Sequence, residues 1–562
     1  MRSQFWSRSL GAMALWQWLA VGAYAALLYG YNLGGFQALT EHEIVVAGIA
    51  KQMLRDGTWG GLWIGDYPWL EKPPLPHWLA ALSLSLVGDI GEAAVRLPSA
   101  IEGIAVALIV AGLAARWFGA TTGLLSGLVQ ASAWYMMTYA RLAENDMVLC
   151  LLVTATLACF VAAQRAPAER LGRWRLAFWL LLGATNLSKG PLFGAALVGA
   201  VCGAWVVWRR DGQAVRRMVS PLGLLLFAAL ALAWPAWVYF QGLGPLLAEW
   251  WRFEMFGRVD GTYFPVAEPP WYYLLTLTWQ WLPWTPFLLI GAAPSLARAW
   301  RDRDSGDRFL WCWAAAPILL LSLPPHKHHH YIIHALPGFA PIVALGLARA
   351  GGVATAWAGR LPARAATSLV VGGLALAVGL ALLSWHLRDA GATDPEFAPL
   401  GPDAALIGTI LGLGLAALGL WLARPSLPGL ALVYFATVLA VLLTLRSPYL
   451  ADRDPSRFDR EFLRGIAAQI PPGARLIVTG RQPLARHLFY LDRPGRRAEG
   501  VWVPEDIAKK LRPGEVAYVV TRAEDEPGLS AFAKVERLAV SVRTRSERGP
   551  AERYTLFRLT AR

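Results

Sequence analysis

Apolar runs close to twenty residues long recur along most of this chain, and they constrain its fold more than any other feature. A run of that length can span the hydrocarbon core of a bilayer, which is about 30 Å thick. Because lipid offers no hydrogen bonds to the backbone, only helices and closed barrels cross it. The runs are rich in Leu and Ala and lack the two-residue alternation of a membrane barrel. The sequence therefore predicts a polytopic α-helical membrane protein.

We predict about thirteen transmembrane helices from these runs. They lie near residues 11–30, 95–115, 121–140, 147–164, 175–188, 190–208, 219–241, 271–292, 309–323, 331–348, 367–386, 404–423 and 428–445. The first thirty residues also have features of a secretory signal, with Arg2 and Arg8 ahead of an apolar stretch. That stretch continues beyond Ala25, which favours a first helix that is retained.

Arginine is distributed unevenly between the loops, and this bias predicts orientation. With the N-terminus in the cytoplasm, the inner loops carry the dense groups at 165–175, 209–217 and 298–308, and the outer loops carry few. An odd number of helices then places the C-terminal region outside, in the periplasm, for a protein of the bacterial inner membrane. The net charge of +14 is explained by these loops, so we expect membrane lipids and no nucleic acid as partners.

Composition changes to mixed charge near residue 448, which predicts two domains. Residues 1–448 would form the transmembrane domain, and residues 449–562 a soluble α/β domain. Within the second domain, the residue pattern predicts strands and helices. The strands fall near 475–480, 515–521 and 554–559, and the helices near 456–469 and 504–511.

The first outer loop, residues 31–94, is predicted to contain amphipathic helices at the membrane interface. Apolar residues recur there at helical spacing from Ile44 to Leu54, with Lys51 and Arg55 on the opposite side. Glu41 and Glu43 at the start of this helix suit either its positive N-terminal end or a catalytic role.

The same loop ends in Glu71-Lys72-Pro73-Pro74. A proline disfavours helix in the residue before it, so Lys72 is expected to be extended and held in place. A lysine so held suits a phosphate, which it binds as a point charge.

Further polar residues lie close to the ends of apolar runs on the predicted outer face. They include His42, Glu71, Arg141, Glu144, Asp146, Lys189 and Lys327. Charge so close to an apolar run is costly, so the group predicts an outward-facing active site. A transporter or flippase for a lipid or sugar is the main alternative, and a structural or sensing membrane protein is a third. Charges within spans and inverted repeats would favour a transporter, and we find neither.

The run His326-Lys327-His328-His329-His330 precedes a predicted helix. Histidine clusters bind divalent metals, but this spacing imposes no ligand geometry, and a polar interfacial loop explains the run equally well. The four cysteines lie in apolar runs without metal-ligand spacing, as small buried residues do.

These motifs resemble those of the protein O-mannosyltransferase superfamily of membrane glycosyltransferases, of the GT-C type (glycosyltransferase family 39 or 83). The resemblance is greatest to the bacterial branch that contains aminoarabinose–lipid A transferases. The matching stretches follow the family's order and lie at 49–59, 70–75, 141–147, 187–191, 268–273 and 327–337.

The resemblance implies an enzyme that moves a sugar from an undecaprenyl-phosphate or similar polyprenyl-phosphate donor to a lipid (lipid A-like), glycan or protein acceptor. It implies catalytic roles for Glu41, Glu43 and Asp146, donor-phosphate binding by Lys72, Lys189, Arg141 and Lys327, and substrate binding by Glu71, His42 and Tyr331. Some members bind a metal through the Glu of Glu-Lys-Pro-Pro. Here the ligands would be Glu71 with His328, His329 or His330, and whether a divalent metal binds stays open.

The chain departs from the family at the first acidic pair. The family's Asp-Glu falls on His42 and Glu43, and the arginine that follows falls on Val45. Glu41, one residue earlier, is expected to replace the missing acid.

Overall fold

The protein is described here from a computed structural model. The structure describes residues 13–35, 38–88, 91–190, 192–257, 267–393, 401–445, 457–479, 481–491, 498–501, 503–541 and 553–562.

Helices occupy most of the chain up to residue 445. They are α1 Leu15–Gly30, α2 Glu41–Asp56, α3 Leu75–Val87, α4 Glu92–Phe118, α5 Ala120–Ser132, α6 Trp134–Tyr139, α7 Asn145–Arg165, α8 Ala168–Ala184, α9 Phe193–Arg209, α10 Gly212–Met218, α11 Pro221–Val238, α12 Gly244–Trp250, α13 Tyr272–Gln280, α14 Thr285–Arg301, α15 Gly306–Ser322, α16 Leu336–Ala358, α17 Ala363–Thr393, α18 Gly401–Ala423 and α19 Leu427–Leu445. A 3₁₀ turn, His329–Ala335, precedes α16.

The helical membrane fold predicted from hydropathy is confirmed. Within the described residues, every predicted span falls on a helix or a pair of helices. In the described part of the chain, seven helical segments are long and apolar enough to cross a membrane. They are Glu92–Phe118, Asn145–Arg165, Pro221–Phe253, His329–Ala358, Arg364–Ser384, Ala405–Ala423 and Leu427–Leu445. A count of thirteen crossings stays a prediction.

Helix α7 lies at the centre of the bundle, packed against α4, α8 and α9. In its most apolar window 72% of the residues are buried, against 11% in Arg364–Ser384. A helix that is apolar all round and buried belongs to the interior, whereas an exposed apolar helix faces lipid. Polar residues at the start of α7 are therefore held inside the protein.

The loop after α1 folds into two helices and a small hairpin. Helix α2 begins with a capping box, because Thr40 Oγ1 accepts from Glu43 N and Glu43 accepts from Thr40 N. It ends at Gly57, whose φ of 70° is the left-handed conformation that favours glycine. Strands β1 Trp63–Ile64 and β2 Tyr67–Pro68 form the hairpin. The predicted amphipathic helix is present, but it packs against α3 and the C-terminal region.

The C-terminal region contains a five-stranded mixed sheet in the order β4-β3-β5-β7-β6. The strands are β3 Leu476–Thr479, β4 Ala498–Val501, β5 Val516–Arg522, β6 Ala533–Val540 and β7 Tyr554–Ala561. Strand β3 pairs in parallel with β4 and β5, and β7 pairs antiparallel with β5 and β6. The helices are α20 Arg457–Ala467, α21 Arg481–Leu491, α22 Ile507–Lys510 and α23 Glu526–Ser530. The predicted strands β3, β5 and β7 are confirmed, whereas β4, β6 and α21 were not predicted.

The sheet region docks on the loop that follows α1. Glu92 accepts hydrogen bonds from Arg460, Arg464 and Tyr490, at 3.3, 3.2 and 2.8 Å. Lys51 Nζ donates to the Phe489 carbonyl at 2.8 Å. The predicted domain boundary at residue 448 lies outside the described residues.

Candidate active site

Four consecutive residues, Ala143 to Asp146, connect two distant parts of the chain at the start of α7. Ala143 N donates to Glu43 at 2.9 Å, and Thr40 Oγ1 lies 3.5 Å from Glu144. Asn145 exchanges hydrogen bonds with Ser188, and Asp146 accepts a hydrogen bond from the Lys189 ammonium. This segment therefore fixes the start of α2 relative to the turn before α9.

Asp146 and Lys189 form a buried ion pair. Lys189 Nζ lies 2.5 Å from Asp146 Oδ1, and the two side chains are 10% and 6% exposed. The same ammonium lies 4.5 Å from the centre of the Tyr331 ring and 5.6 Å from that of Phe193. An ammonium over aromatic faces is stabilised by their quadrupoles. Predicted catalytic, phosphate-binding and substrate-binding residues thus come together here.

Glu43 forms a second buried ion pair, with Arg96. The guanidinium donates to both carboxylate oxygens, at 2.6 and 2.9 Å, and neither side chain is exposed. Arg96 also donates to the Leu33 and Ala38 carbonyls. The carboxylate accepts from the backbone of Thr40 and Ala143 as well, which engages all the lone-pair directions it has. This geometry holds the loop together and leaves the Glu43 carboxylate little capacity to accept a hydrogen bond from a substrate.

Glu144 is a half-buried acid beside the first ion pair. Burial raises the pKa of Glu144 to about 8, and the charges of Asp146 and Glu43 act in the same direction. It lines a small cavity together with Glu102, Val95, Pro98 and Ala143. A carboxyl group with such a pKa can carry a proton at neutral pH, unlike an ordinary glutamate.

Glu41 and His42 lie at the exposed start of α2. Glu41 is half-buried and His42 is exposed, one and two positions after the Thr40 cap. Their side chains are therefore more accessible than Glu43, although the helix N-terminus they occupy also attracts negative charge for purely structural reasons.

The Glu71-Lys72-Pro73-Pro74 stretch leads directly into α3. Glu71 is exposed and its carbonyl accepts from Trp250 Nε1 at 2.7 Å, while Lys72 is half-buried. Pro73 and Pro74 are buried. The burial of the two prolines supports a backbone that is held in place at this point, and an extended Lys72 stays a prediction.

The predicted phosphate ligands Arg141 and Lys327 both bind backbone carbonyls. Arg141 is fully buried and donates to the carbonyls of Leu28 and Tyr29 at 2.8 and 2.9 Å, at the C-terminal end of α1. Lys327 Nζ donates to those of Glu268 and Pro324 at 2.9 and 2.7 Å. A cation at a helix C-terminus stabilises the helix. These contacts support structural roles, and phosphate binding by either residue stays a prediction.

The histidine run forms a stack of rings. His328 and His330 stack at 5.3 Å, and His330 also lies 5.8 Å from Tyr139. Tyr135 Oη hydrogen-bonds His329 Nδ1. Within the described residues, no three His, Cys, Asp or Glu side chains gather as a metal site requires. The side chains present therefore do not fit a metal held by Glu71 and this run, and no chemical step is assigned to one.

Comparison with known proteins agrees with this fold. The family model for dolichyl-phosphate-mannose-protein mannosyltransferase matches residues 71–239. The undecaprenyl phosphate-α-4-amino-4-deoxy-L-arabinose arabinosyl transferase of Erwinia tasmaniensis is 32% identical over 67% of this chain and 66% of its own length. That of Pectobacterium carotovorum is 28% identical over 89% of this chain and 92% of its own length.

The chain belongs to this family of membrane glycosyltransferases. Its fold is also that of ArnT from Cupriavidus metallidurans, solved bound to undecaprenyl phosphate, with a TM-score of 0.71 and 21% identity over 97% of this chain and 98% of that one. As a family member it is an enzyme that uses a polyprenyl-phosphate-linked sugar.

Two residues of this glycosyltransferase that matter for its site were not predicted as such. Hydropathy places Arg96 only in an apolar run, yet Arg96 is the partner of Glu43. Glu144 is one of the polar residues on the predicted outer face, and its position in the sequence predicts no specific role for it. A local signal existed for Glu43 alone, because Thr40-Glu41-His42-Glu43 has the spacing of a capping box.

Proposed function

We propose that this chain transfers a sugar from an undecaprenyl-phosphate donor to a lipid A-like acceptor at the periplasmic face of the bacterial inner membrane. The buried group of Asp146, Lys189 and Tyr331 carries the proposal, since it places a cation, a carboxylate and an aromatic ring together. The names of the relatives support an undecaprenyl-phosphate aminoarabinose donor. A glycan or a protein acceptor is the alternative that the assay below separates.

In this reaction the bond between the sugar's anomeric carbon and the donor phosphate breaks, and the electron pair leaves with the phosphate. Lys189 has three N–H donors, of which one is engaged by Asp146, so the others can bind the phosphate as its charge grows. Lys72 supplies a second cation from its anchored turn.

The acceptor oxygen then bonds to the anomeric carbon, and its proton passes to a carboxylate. The donor phosphate attracts Lys189 and so weakens the ion pair between Lys189 and Asp146. Donor binding would therefore leave the Asp146 carboxylate able to accept the proton as the base. Glu41, half-buried at the start of α2, is a second acid that could orient the acceptor. Arg141, Lys327 and the Glu43–Arg96 pair hold the surrounding loops in this proposal.

The topology completes the proposal. We propose thirteen transmembrane helices in residues 1–448, which places the start of α2 and the start of α7 on the periplasmic side. Residues 449–562 would then be a periplasmic domain. Its contacts with Lys51 and Glu92 support that placement, because they hold it against the same outer loop.

The test uses the full chain, purified into nanodiscs, with undecaprenyl-phosphate aminoarabinose and lipid A. Release of undecaprenyl phosphate and a mass shift on lipid A are expected, and both should fail with the Lys189→Met variant. Glycan and peptide acceptors run in parallel identify the acceptor class. Movement of the intact donor across liposome membranes without turnover would instead indicate a flippase and overturn the proposal.

A further inference from the structure

A second polar site lies at the other end of α7, far from Asp146. A cavity of about 690 Å³ opens between the ends of α4, α7, α9 and α10 and the start of α15. With a rise of 1.5 Å per residue, the nineteen positions from Asp146 to Arg165 separate the two sites by roughly 28 Å. The cavity therefore faces the opposite membrane surface, which the arginine bias predicts to be cytoplasmic.

The lining of this cavity is positively charged. It contains Arg116, Arg165, Arg209 and Arg217 against Asp211 and Asp304. Both aspartates lie against Arg209, at 3.2 and 2.8 Å. The excess of positive charge is thus greatest on the sides formed by α4, α7 and α10.

Part of that charge has a structural explanation. Arg217 donates to the carbonyls of Ala163 and Ala166 at 3.1 and 2.7 Å, and so stabilises the C-terminal end of α7. Arg116 and Arg165 lie in the last turns of α4 and α7, and both also line the cavity. Arg116 is exposed, and the Arg165 guanidinium lies 5.8 Å from the Trp117 ring at the cavity wall.

The wall also offers an indole donor and an aromatic floor. Trp117 is 8% exposed, and among the described residues no acceptor lies within hydrogen-bond distance of its Nε1. Phe160 and Phe309 stack below at 6.2 Å, and Trp117 contacts Phe309 at 5.8 Å. Buried N–H groups nearly always have a partner, so the wall is suited to an acceptor from a ligand.

We propose that this cavity binds the phosphate of an anionic membrane lipid, with Arg116 and Arg165 holding the charge and the acyl chains lying along the aromatic residues. Arginine binds phosphate oxygens through two parallel N–H groups, and basic pockets between helices on the cytoplasmic side suit anionic head groups. The site would anchor four helix ends to the inner leaflet. It is separate from the sugar-transfer site and does not depend on it.

The test is native mass spectrometry of the full chain, released from detergent and titrated with phosphatidylglycerol, phosphatidylcholine or inorganic phosphate. Phosphatidylglycerol is expected to bind more tightly than phosphatidylcholine. The variant with Arg116→Gln and Arg165→Gln should bind it roughly tenfold to thirtyfold more weakly. The matched control, Arg301→Gln with Arg360→Gln, removes two exposed arginines of the same predicted face outside the cavity and should bind as the wild type does.

A second variant, Trp117→Phe, keeps an aromatic ring but removes the indole N–H and part of the ring volume, so it should weaken binding severalfold without a change in size-exclusion profile. Equal binding of phosphatidylglycerol by the wild type and the arginine variant would overturn the proposal. So would arginine-dependent binding of inorganic phosphate that no lipid displaces, since the occupant would then be free phosphate.

Discussion

Lys189 Nζ lies 2.5 Å from Asp146 Oδ1, although 43 residues separate the two in the chain. Neither charge faces open solvent, so each depends on the other. A buried pair of this kind is costly to form and often contributes little net stability. Stability alone therefore does not explain the pair, which favours a functional role. In a glycosyltransferase, the pair offers a cation for the leaving phosphate and a carboxylate for the incoming acceptor.

Replacing both members of the pair with neutral residues, Lys189→Met together with Asp146→Asn, should separate the effect on turnover from the effect on folding. Lys189→Met or Asp146→Asn alone leaves a buried charge without its partner, and should lower the free energy of unfolding by about 3–5 kcal/mol. The double variant should regain most of that stability while its turnover stays roughly 100- to 10,000-fold below the wild type. Thermal unfolding and donor consumption measure the two effects. A double variant with wild-type turnover would reduce the pair to a structural role.

The two acids at the start of α2 should respond differently to substitution. Glu43→Gln leaves buried Arg96 without its carboxylate, so the melting temperature and the yield of folded protein should fall. Glu41→Gln changes an accessible side chain, so stability should move by less than about 0.5 kcal/mol. If Glu41 acts on the acceptor, turnover falls roughly 100-fold in that variant alone. Unchanged turnover there would leave Glu41 as a charge that favours the helix N-terminus.

The helices could be predicted from sequence because lipid dictates them. Residues such as those of α7 and α18 must hydrogen-bond within their own segment, so an apolar run of sufficient length is a helix wherever it packs. The start of α2 was predictable for a local reason, because the capping box is read within four residues. The strands β3 and β5 were predictable because each is a short apolar run in the sequence. Strand β6, with charged residues on its exposed side, gave a weaker pattern.

The partners of the candidate site residues could not be predicted in the same way. Glu43 meets Arg96 across 53 positions, and hydropathy alone placed Arg96 in a membrane span. The docking of α21 on α2 depends on a close approach, since a side chain at Gly48 would meet the Ala485 carbonyl at 3.0 Å. Such pairings depend on tertiary packing, which one sequence does not encode in any local pattern. Residue types near span ends therefore placed Asp146 and Lys189 in one candidate group but did not reveal the contacts of Arg141 and Glu43.

Lys72 should prove necessary for transfer and unnecessary for folding. It is half-buried on a turn that Pro73 and Pro74 anchor, so Lys72→Ala should leave membrane insertion and melting temperature close to wild type. Turnover should fall by roughly 100-fold or more if the ammonium stabilises the leaving phosphate. Lys72→Arg keeps the charge and should retain part of the activity. Lys509→Ala is the control, since it removes an exposed lysine of the C-terminal region that pairs only with the surface residue Asp506 in the described part of the chain. Near-normal turnover in Lys72→Ala would remove this residue from the donor site.

The raised pKa of Glu144 predicts how stability depends on pH. Its pKa is about 8 in the folded protein and near 4.5 when unfolded, so between these values the folded state binds more protons. Stability contributed by this group therefore decreases as pH rises from 4.5 to 8 and is constant above. The comparison with Glu144→Gln between pH 6.5 and 8 isolates the effect, because the histidines, which take up protons in the unfolded chain near pH 6.5, contribute equally to both proteins. The melting temperature of the wild type should fall relative to that of Glu144→Gln as pH rises from 6.5 to 8, so the two slopes against pH should differ and Glu144→Gln should melt higher at pH 8. A slope that persists unchanged in Glu144→Gln would mean that another group takes up the proton.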